Sequence, residues 1–443
     1  MRDDLFATRK HDFGLPQAIA EANRCLLCHD PPCSRGCPAD TRPGEFIRKL
    51  RLKNITGAIR TIKDNNILGG ACGALCPTED LCEKECAATG IGRPIAIGKI
   101  QQALVVHAQN SGFNPLTPET AKMTQKVAVL GSGPAGLSCA AELAKSGYPV
   151  TVFEQRHEPG GALRYGIMPY RMDPELLRGE IEDIRSLGVQ IRCDTRIQGP
   201  KGAEELLQQG FAALFLAPGL WSSRQLTANG PGLRGWYPSI AYLQSIREDR
   251  FAELQTEFSG KRVAVIGGGD VAMECVQSAQ KLGAADVFLL YRRSYAQMPG
   301  EEQERLSALK NGVHFLLFNQ PVALVTEEGQ ITGLKCLRTE LGPKDDSGRR
   351  SPRAIAGSDW ILSTDIVIEA IGNQAEPESP SWYPSVETDS QNLIQFDQDR
   401  ASTSVPGIFA GGDIARGPAL VVTAVEDGKK AARSITAYLR QKV

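Results

Sequence analysis

Lys126–Gln155 reads KVAVLGSGPAGLSCAAELAKSGYPVTVFEQ: an apolar run, a glycine-rich turn, an Ala-rich stretch, and a second apolar run ending at an acid. This is the pattern of strand, turn, helix and strand. The turn is G-x-G-x-x-G at Gly131, Gly133 and Gly136. Such a turn lets the backbone approach a dinucleotide pyrophosphate, which would lie on the helix N-terminus at Pro134 and Ala135. Glu154, at the end of the second strand, would accept the adenosine ribose hydroxyls. A plain β–α turn is the bland alternative, and it leaves Glu154 unexplained.

Moving downstream, the pattern repeats at Gly260–Ser294, GKRVAVIGGGDVAMECVQSAQKLGAADVFLLYRRS. Its turn is G-x-G-x-x-A at Gly267, Gly269 and Ala272, with Asp270 and Val271 opening the helix. The second strand ends in Tyr291-Arg292-Arg293 and has no acid. Arginine there can pair with a 2′-phosphate, so the site is expected to take NADPH, with NADH the alternative. The bland reading is a solvated surface pair, since strand ends often carry charge. Two Rossmann units imply two dinucleotides. FAD and NAD(P)H are the natural pair, because a bound flavin passes on electrons that a diffusing nicotinamide delivers.

Upstream lie two cysteine runs holding eight of the twelve cysteines. The first is C-x2-C-x4-C-x3-C-P at Cys25, Cys28, Cys33 and Cys37; the second has Cys72, Cys76, Cys82 and Cys86, with Pro77 after Cys76. Thiolates this dense are ligands more often than disulfides in a chain with no secretory signal. Zinc sites favour two C-x-x-C pairs, and only Cys25 and Cys28 form one. Uneven runs with Cys-Pro are the habit of [4Fe–4S] sites. Zinc and a disulfide framework stay as the alternatives. The other cysteines are isolated, and no C-x-x-C lies beside the flavin turn, which argues against dithiol chemistry.

Composition is that of a globular protein with real cores: 443 residues, 42% hydrophobic and 23% charged. That length suits two to four domains. A formal net charge of −1 gives no electrostatic case for nucleic acid or an anionic membrane. The N-terminal MRDDLFATRKHDFG has no apolar signal core, and no later stretch approaches a membrane span, so a soluble, cytoplasmic chain is expected. Residues 1–110 carry helical periodicity, and the polar, proline-bearing Asn110–Lys126 reads as a linker.

The cysteine runs, GSGPAGL, GGALRYGIMPYRM, GGGDVAME, YRRS and AGGDI together resemble the glutamate synthase small-subunit family along nearly the whole chain. That layout is shared by the NADPH-oxidising half of dihydropyrimidine dehydrogenase. Within the family, CLLCHDPPC, CPTEDLCEKEC and IGKIQQ look most like the electron-input subunit of bacterial dihydropyrimidine dehydrogenase. The resemblance implies an α/β fold: a helical iron–sulfur domain (1–121), a discontinuous FAD domain (122–255 and 375–443) and an inserted NAD(P)H domain (256–374). It implies one cluster on Cys25, Cys28, Cys33 and Cys86, and another on Cys37, Cys76, Cys82 and Gln102, with Cys72 left out. By position alone Gln102 would be a surface or core amide. The resemblance also implies FAD contacts from Gly161, Leu163, Arg171, Gly412, Asp413 and Thr423, with Asp413 near the ribityl–phosphate region.

Hydride would pass from NADPH to FAD and electrons through the clusters to an FMN-containing partner that reduces uracil or thymine. Because the flavin carries the chemistry, no general acid–base pair is nominated. The alternatives are a glutamate synthase small subunit or related input module, and a non-catalytic module holding nucleotide and zinc as structure. One departure bears on the donor: bacterial subunits of this kind that use NAD tend to have an acid near the position of Arg293.

Overall fold

The computed structural model describes residues 13–119, 123–197, 201–226, 232–248, 250–344 and 349–441. The expected boundary at residues 121 and 122 lies outside them. Lys126–Leu130 is the central strand of a five-stranded parallel sheet. Val150–Phe153 and Gln190–Arg192 lie to one side, Phe211–Leu216 and Ile408–Ala410 to the other. Val127–Leu130 and Val150–Phe153 are fully buried, the signature of a parallel sheet covered on both faces. Helix Pro134–Lys145 joins the first two strands.

The last strand and the final helix arrive from far along the chain. One core holds Leu130, Phe153 and Leu214 together with Tyr383, Ile394 and Ile408. Each such aliphatic side chain contributes about 1.5–3 kcal/mol on burial. The C-terminal helix, Val421–Arg440, packs along Pro134–Lys145 so closely that a Cβ on Gly428 would lie 2.3 Å from the Ala135 carbonyl oxygen.

The cysteine region is helical, with main helices Leu15–Ala22, Pro43–Arg51, Ile55–Asn65, Gly69–Leu75 and Ile97–Asn110. Asn54 starts the third by accepting the Gly57 N–H at 2.9 Å. The last two meet through glycines: a Cβ on Gly73 would lie 2.8 Å from the Gly98 carbonyl and from the Gln102 nitrogen. This region and the first sheet form one compact unit. Buried polar contacts join them to helix Pro174–Ser186. Lys63 pairs with Asp183, and Glu180 accepts the N–H groups of Gly70 (2.6 Å) and Ala71 (3.1 Å). Removing one member of such a pair strands a buried charge, at a cost of about 3–5 kcal/mol.

The second unit holds Tyr165–Met168 and Trp221–Gln374. Its parallel sheet runs Trp236–Pro238, Ile366–Glu369, Arg262–Ile266, Asp286–Tyr291, His314–Leu317. The sequence reading starts this domain at residue 256. The long segment of this unit begins at Trp221, and its Trp236–Pro238 pairs with Ile366–Glu369 as a sheet edge. A second difference is an antiparallel sheet, Asn319–Glu327, Gln330–Lys344 and Arg350–Ala354, with Trp360–Ser363 on its middle strand. Ile331, Leu334 and Cys336 of its longest strand share a core with Ala264 and Val367 of the parallel sheet. No described helix is long and apolar enough to cross a membrane.

Candidate functional site

In the first glycine turn each glycine meets a different surrounding. Gly131 has φ +91°, and a Cβ there would lie 2.3 Å from the Ala217 carbonyl. A Cβ on Gly136 would lie 2.0 Å from the Gly131 oxygen, so this position lets the helix press onto the turn. A Cβ on Gly133 would meet nothing within 4 Å. The open side is at the N-cap of Pro134–Lys145, where Pro134 and Ala135 start the helix and where a pyrophosphate fits. Gly160 and Gly161, both at positive φ, pack against this turn; a Cβ on Gly161 would lie 2.7 Å from the Gly133 Cα. Leu163 is buried just beyond, and Arg171 is half-buried.

Glu154 is buried at the strand end. Its carboxylate accepts the N–H (3.0 Å) and hydroxyl (2.5 Å) of Ser132 and the N–H of Arg156 (2.9 Å). Ser132 in turn accepts the Gly160 N–H, at 3.0 Å on its hydroxyl. Sequence reasoning missed Ser132, which is an unconstrained position of the motif. It links the glycine turn, Glu154 and Gly160 into one network while leaving the carboxylate further lone pairs for ribose hydroxyls.

The Gly-Gly-Asp segment is held by a residue sequence reasoning also missed. Asp427, buried in the C-terminal helix, accepts the Gly412 N–H at 2.9 Å and pairs with Arg416 at 2.5 Å. Its place next to Gly428, on the helix face buried in the protein, was the available clue. Gly412 has φ +71°, and a Cβ there would lie 3.0 Å from the Ala135 Cβ, so this segment sits on the first glycine turn. Burial raises the Asp413 carboxyl to about 7; the Ala419 N–H opposes that and Asp427 adds to it. Thr423 is half-buried in the first turn of the C-terminal helix. Gly412 therefore lies against the start of helix Pro134–Lys145, with Asp413 next to it in the chain.

In the second unit, a Cβ on Gly267 would lie 2.2 Å from the Ala370 carbonyl, whereas one on Gly269 would meet only the Pro299 Cγ, at 3.9 Å. Ala272 is fully buried beneath the turn. Asp270 accepts the Glu301 N–H at 2.8 Å, with Val271 half-buried beside it. The two arginines diverge. Arg292 is exposed, with its carbonyl held by Thr339 at 2.9 Å. Arg293 is buried and donates from Nε to the Arg350 carbonyl at 2.8 Å. Arg292 is thus the exposed member of the pair and Arg293 the buried one.

The cysteines form two groups, each drawing on both runs. Cys25, Cys28, Cys33 and Cys86 line one pocket, with about 400 Å³ of space not filled by atoms, open solvent included. Burial raises the Cys33 thiol to about 11, and its sulfur feels Cys86, Cys25 and Cys28. Cys37, Cys72, Cys76 and Cys82 make the second group. Burial raises Cys82, with Cys37 adding to it, and the Cys76 thiol donates to Cys72, which lowers Cys72. Cys72, which the resemblance leaves out of both ligand sets, is beside Cys37 and Cys76. It lies on Gly69–Leu75, one turn before Cys76, so the helix period brings the two together. Gln102 is half-buried on the next helix, its backbone against Gly73. Gln101 is committed elsewhere, donating to the Gly69 carbonyl at 2.6 Å. Among the described residues no three His, Cys, Asp or Glu side chains converge as a single metal ion requires. A four-iron cluster takes four thiolates around one site, and the first group supplies four cysteines lining one pocket.

A flavin-type turn, a second dinucleotide turn and a helical cysteine domain define a flavoprotein oxidoreductase with an iron–sulfur module. Residues 125–428 match the pyridine nucleotide-disulphide oxidoreductase family, and the chain belongs to it. Residues 2–113 match dihydropyrimidine dehydrogenase domain II, 4Fe-4S cluster. The chain is 37% identical over 433 residues to the beta subunit of NADP(+)-dependent formate dehydrogenase from Moorella thermoacetica, covering 93% of this chain but only 60% of that one. It is 34% identical over 439 residues to the glutamate synthase (NADPH) small chain of Escherichia coli, covering 96% and 92%. It is 35% identical over 423 residues to the NAD-dependent dihydropyrimidine dehydrogenase subunit PreT of Escherichia coli, covering 95% and 94%. FprA of Mycobacterium tuberculosis in complex with NADPH has the same fold, with TM-score 0.62 and 18% identity over 72% of this chain and 85% of that one. The protein is an NAD(P)H-dependent FAD oxidoreductase with [4Fe–4S] clusters.

Two substitutions separate packing from cofactor binding. Gly136→Ala should lower the thermal stability of the flavin-free protein, by about 1–3 kcal/mol from overpacking. Gly133→Ala should leave it within about 1 kcal/mol while the flavin absorbance retained after desalting falls sharply. Equal flavin retention in Gly133→Ala and the unmodified protein would place the pyrophosphate elsewhere.

Proposed function

We propose that this chain is the electron-input subunit of a dihydropyrimidine dehydrogenase, working with an FMN-containing partner on uracil or thymine. The observation that carries the reading is the cysteine region: two groups that each need both runs, with Gln102 beside the second. The curated relatives serve different partners at similar identity, so the choice rests on residues, chiefly the CPTEDLC run and Gln102 where glutamate synthase small subunits tend to have an acid. When bound, FAD takes a hydride from the nicotinamide, and the [4Fe–4S] clusters pass electrons on singly.

The chain's own residues bind and orient. The Gly133 N-cap and Gly161 hold the dinucleotide, Glu154 takes ribose hydroxyls, and Gly412, Asp413 and Thr423 close over it. Leu163 and Arg171 line the flavin side. One cluster is held by Cys25, Cys28, Cys33 and Cys86, the other by Cys37, Cys76, Cys82 and Gln102. Overall, NADPH and a proton reduce the pyrimidine double bond and leave NADP⁺. The second reading, a glutamate synthase small subunit, is favoured by the similar relative that covers most of both chains.

Three results are expected. Co-purified with a candidate FMN subunit, the protein should oxidise NADPH on addition of uracil. Turnover with glutamine plus 2-oxoglutarate, and none with uracil, would select the second reading. Gln102→Ala should roughly halve the iron content while Cys72→Ser leaves it unchanged; the reverse pattern would make Cys72 the ligand. Arg292→Ala should raise the KM for NADPH about 10- to 100-fold, the 1.5–3 kcal/mol of a charge-assisted hydrogen bond, and spare NADH. An equal effect on both would mean Arg292 does not recognise the 2′-phosphate.

A further inference from the structure

Cys37 of the second group is followed by a strained loop. Asp40 (φ +51°) and Arg42 (φ +59°) are both left-handed. An arginine in that region is uncommon and costs conformational energy. The residue the two enclose is Thr41, only 1% exposed although polar. Lys429 clamps the same loop from outside, donating to the Ala39 carbonyl at 2.5 Å.

The loop places one hydroxyl. Thr41 Oγ1 lies 3.3 Å from the Cys37 sulfur and 3.2 Å from Asn66 Nδ2. Asn66 is itself 1% exposed, and its Oδ1 accepts the Leu68 N–H at 3.0 Å, which leaves its Nδ2 for Thr41. An amide nitrogen only donates, so a lone pair of Thr41 faces Asn66. The Thr41 hydrogen is then free for the sulfur once Cys37 is a thiolate; a free Cys37 thiol would instead donate to Thr41. Asn66 also reaches Cys72, and the N–H groups of Thr41 and Ala39 add to the stabilisation of charge at Cys37. Most side-chain hydrogen bonds go to backbone or water. This buried hydroxyl is spent on a cysteine of the ligand set.

We propose that Thr41, oriented by Asn66, donates to the Cys37 sulfur and thereby raises the reduction potential of the second [4Fe–4S] site. The inference rests on the ligand set given above and adds what tunes that site. On one-electron reduction, by NADPH through the flavin or by a chemical reductant, part of the added negative charge falls on the ligand sulfurs. A sulfur that gains charge holds its donor more tightly, and more so in buried surroundings than in water. Hydrogen bonds to the sulfurs are among the levers that set such potentials. Without the hydroxyl the site is therefore harder to reduce.

The test is an EPR-monitored potentiometric titration of the holoprotein, with a low-potential chemical reductant and mediator dyes. Thr41→Val keeps the shape and removes the hydroxyl. It should lower the midpoint of one cluster signal by ~59 mV, a tenfold shift in a one-electron equilibrium, and leave the other signal in place. Thr41→Ser should restore the potential of the unmodified protein. Asn66→Ala, which keeps the hydroxyl but not its orientation, should move the same signal in the same direction by less. Iron content and bound flavin should be unchanged in all three. Equal potentials in Thr41→Val and the unmodified protein, the same shift in Thr41→Ser as in Thr41→Val, or a shift of both signals together overturns the proposal. Cys37→Ala separates this outcome from the ligand reading, since it should cost one cluster's iron. Full iron in Cys37→Ala overturns the ligand set and the proposal with it. Lost iron there, with an unmoved potential in Thr41→Val, overturns the proposal alone. The measurement needs neither a pyrimidine nor a partner subunit.

Discussion

The crossing of helices Pro134–Lys145 and Val421–Arg440 is the contact on which the flavin site depends. At Gly428 a Cβ would sit 2.3 Å from the Ala135 carbonyl and 2.7 Å from the Cys139 nitrogen, so a side chain there would push the helices apart. Ser138 ties the same crossing by donating to the Val425 carbonyl at 2.9 Å. With the helices this close, Asp427 reaches Gly412, and Gly412 reaches the first glycine turn. Two segments separated by most of the chain are thereby set at fixed distance. A bulkier crossing would move the Gly-Gly-Asp segment away from the start of helix Pro134–Lys145.

The seam between the cysteine helices and the flavin sheet is built differently. Apolar contacts tolerate sliding, whereas Lys63 with Asp183 and Glu180 with Gly70 and Ala71 have one satisfied arrangement. Lys429 adds bonds to the carbonyls of Ala39 (2.5 Å) and Asn65 (2.6 Å). Burying such groups contributes little net stability, but mis-registering them is costly. A module that moves electrons between centres benefits from that trade, because rate depends on spacing more than on binding strength. Glu180 also meets free N–H groups at the start of the helix that carries Cys72, where a carbonyl-seeking side chain would leave them unpaired.

What the sequence made legible was local. A glycine turn states its needs within a few residues, and the order of strand, turn and helix around Gly131 and Gly267 could be read directly. Ser132, Asp427 and Glu180 could not, because their partners lie tens to hundreds of residues away and ordinary residue types mark both ends. Arg292 and Arg293 looked equivalent because a strand end gives charge but not direction. The sheet built on Gln330–Lys344 sends Arg293 inward through the Arg350 carbonyl. That sheet went unread because its alternation is broken by bulges, at Pro321 and Leu341 among others. Cys72 was set aside on resemblance alone, while helix periodicity was already enough to put it beside Cys76.

The thiols explain why these pockets demand their cofactor. Burial is the first cause raising Cys25, Cys33, Cys37 and Cys82, so an empty fold prefers them protonated. A cluster binds thiolates, and its irons must supply the positive charge that the surroundings withhold. For the first group the protein adds a little from outside, through Arg48 and Arg51 on the carbonyls of Cys28 and Cys25. In the second group the hydrogen bond from Cys76, with Asn66, lowers only Cys72, outside the proposed ligand set, while the same bond and burial raise Cys76. Adding an electron to a buried, weakly compensated centre costs more than adding it to a partly hydrated one beside two arginines. That asymmetry of burial leaves every cysteine of the first group partly exposed, while Cys72 and Cys82 of the second are buried.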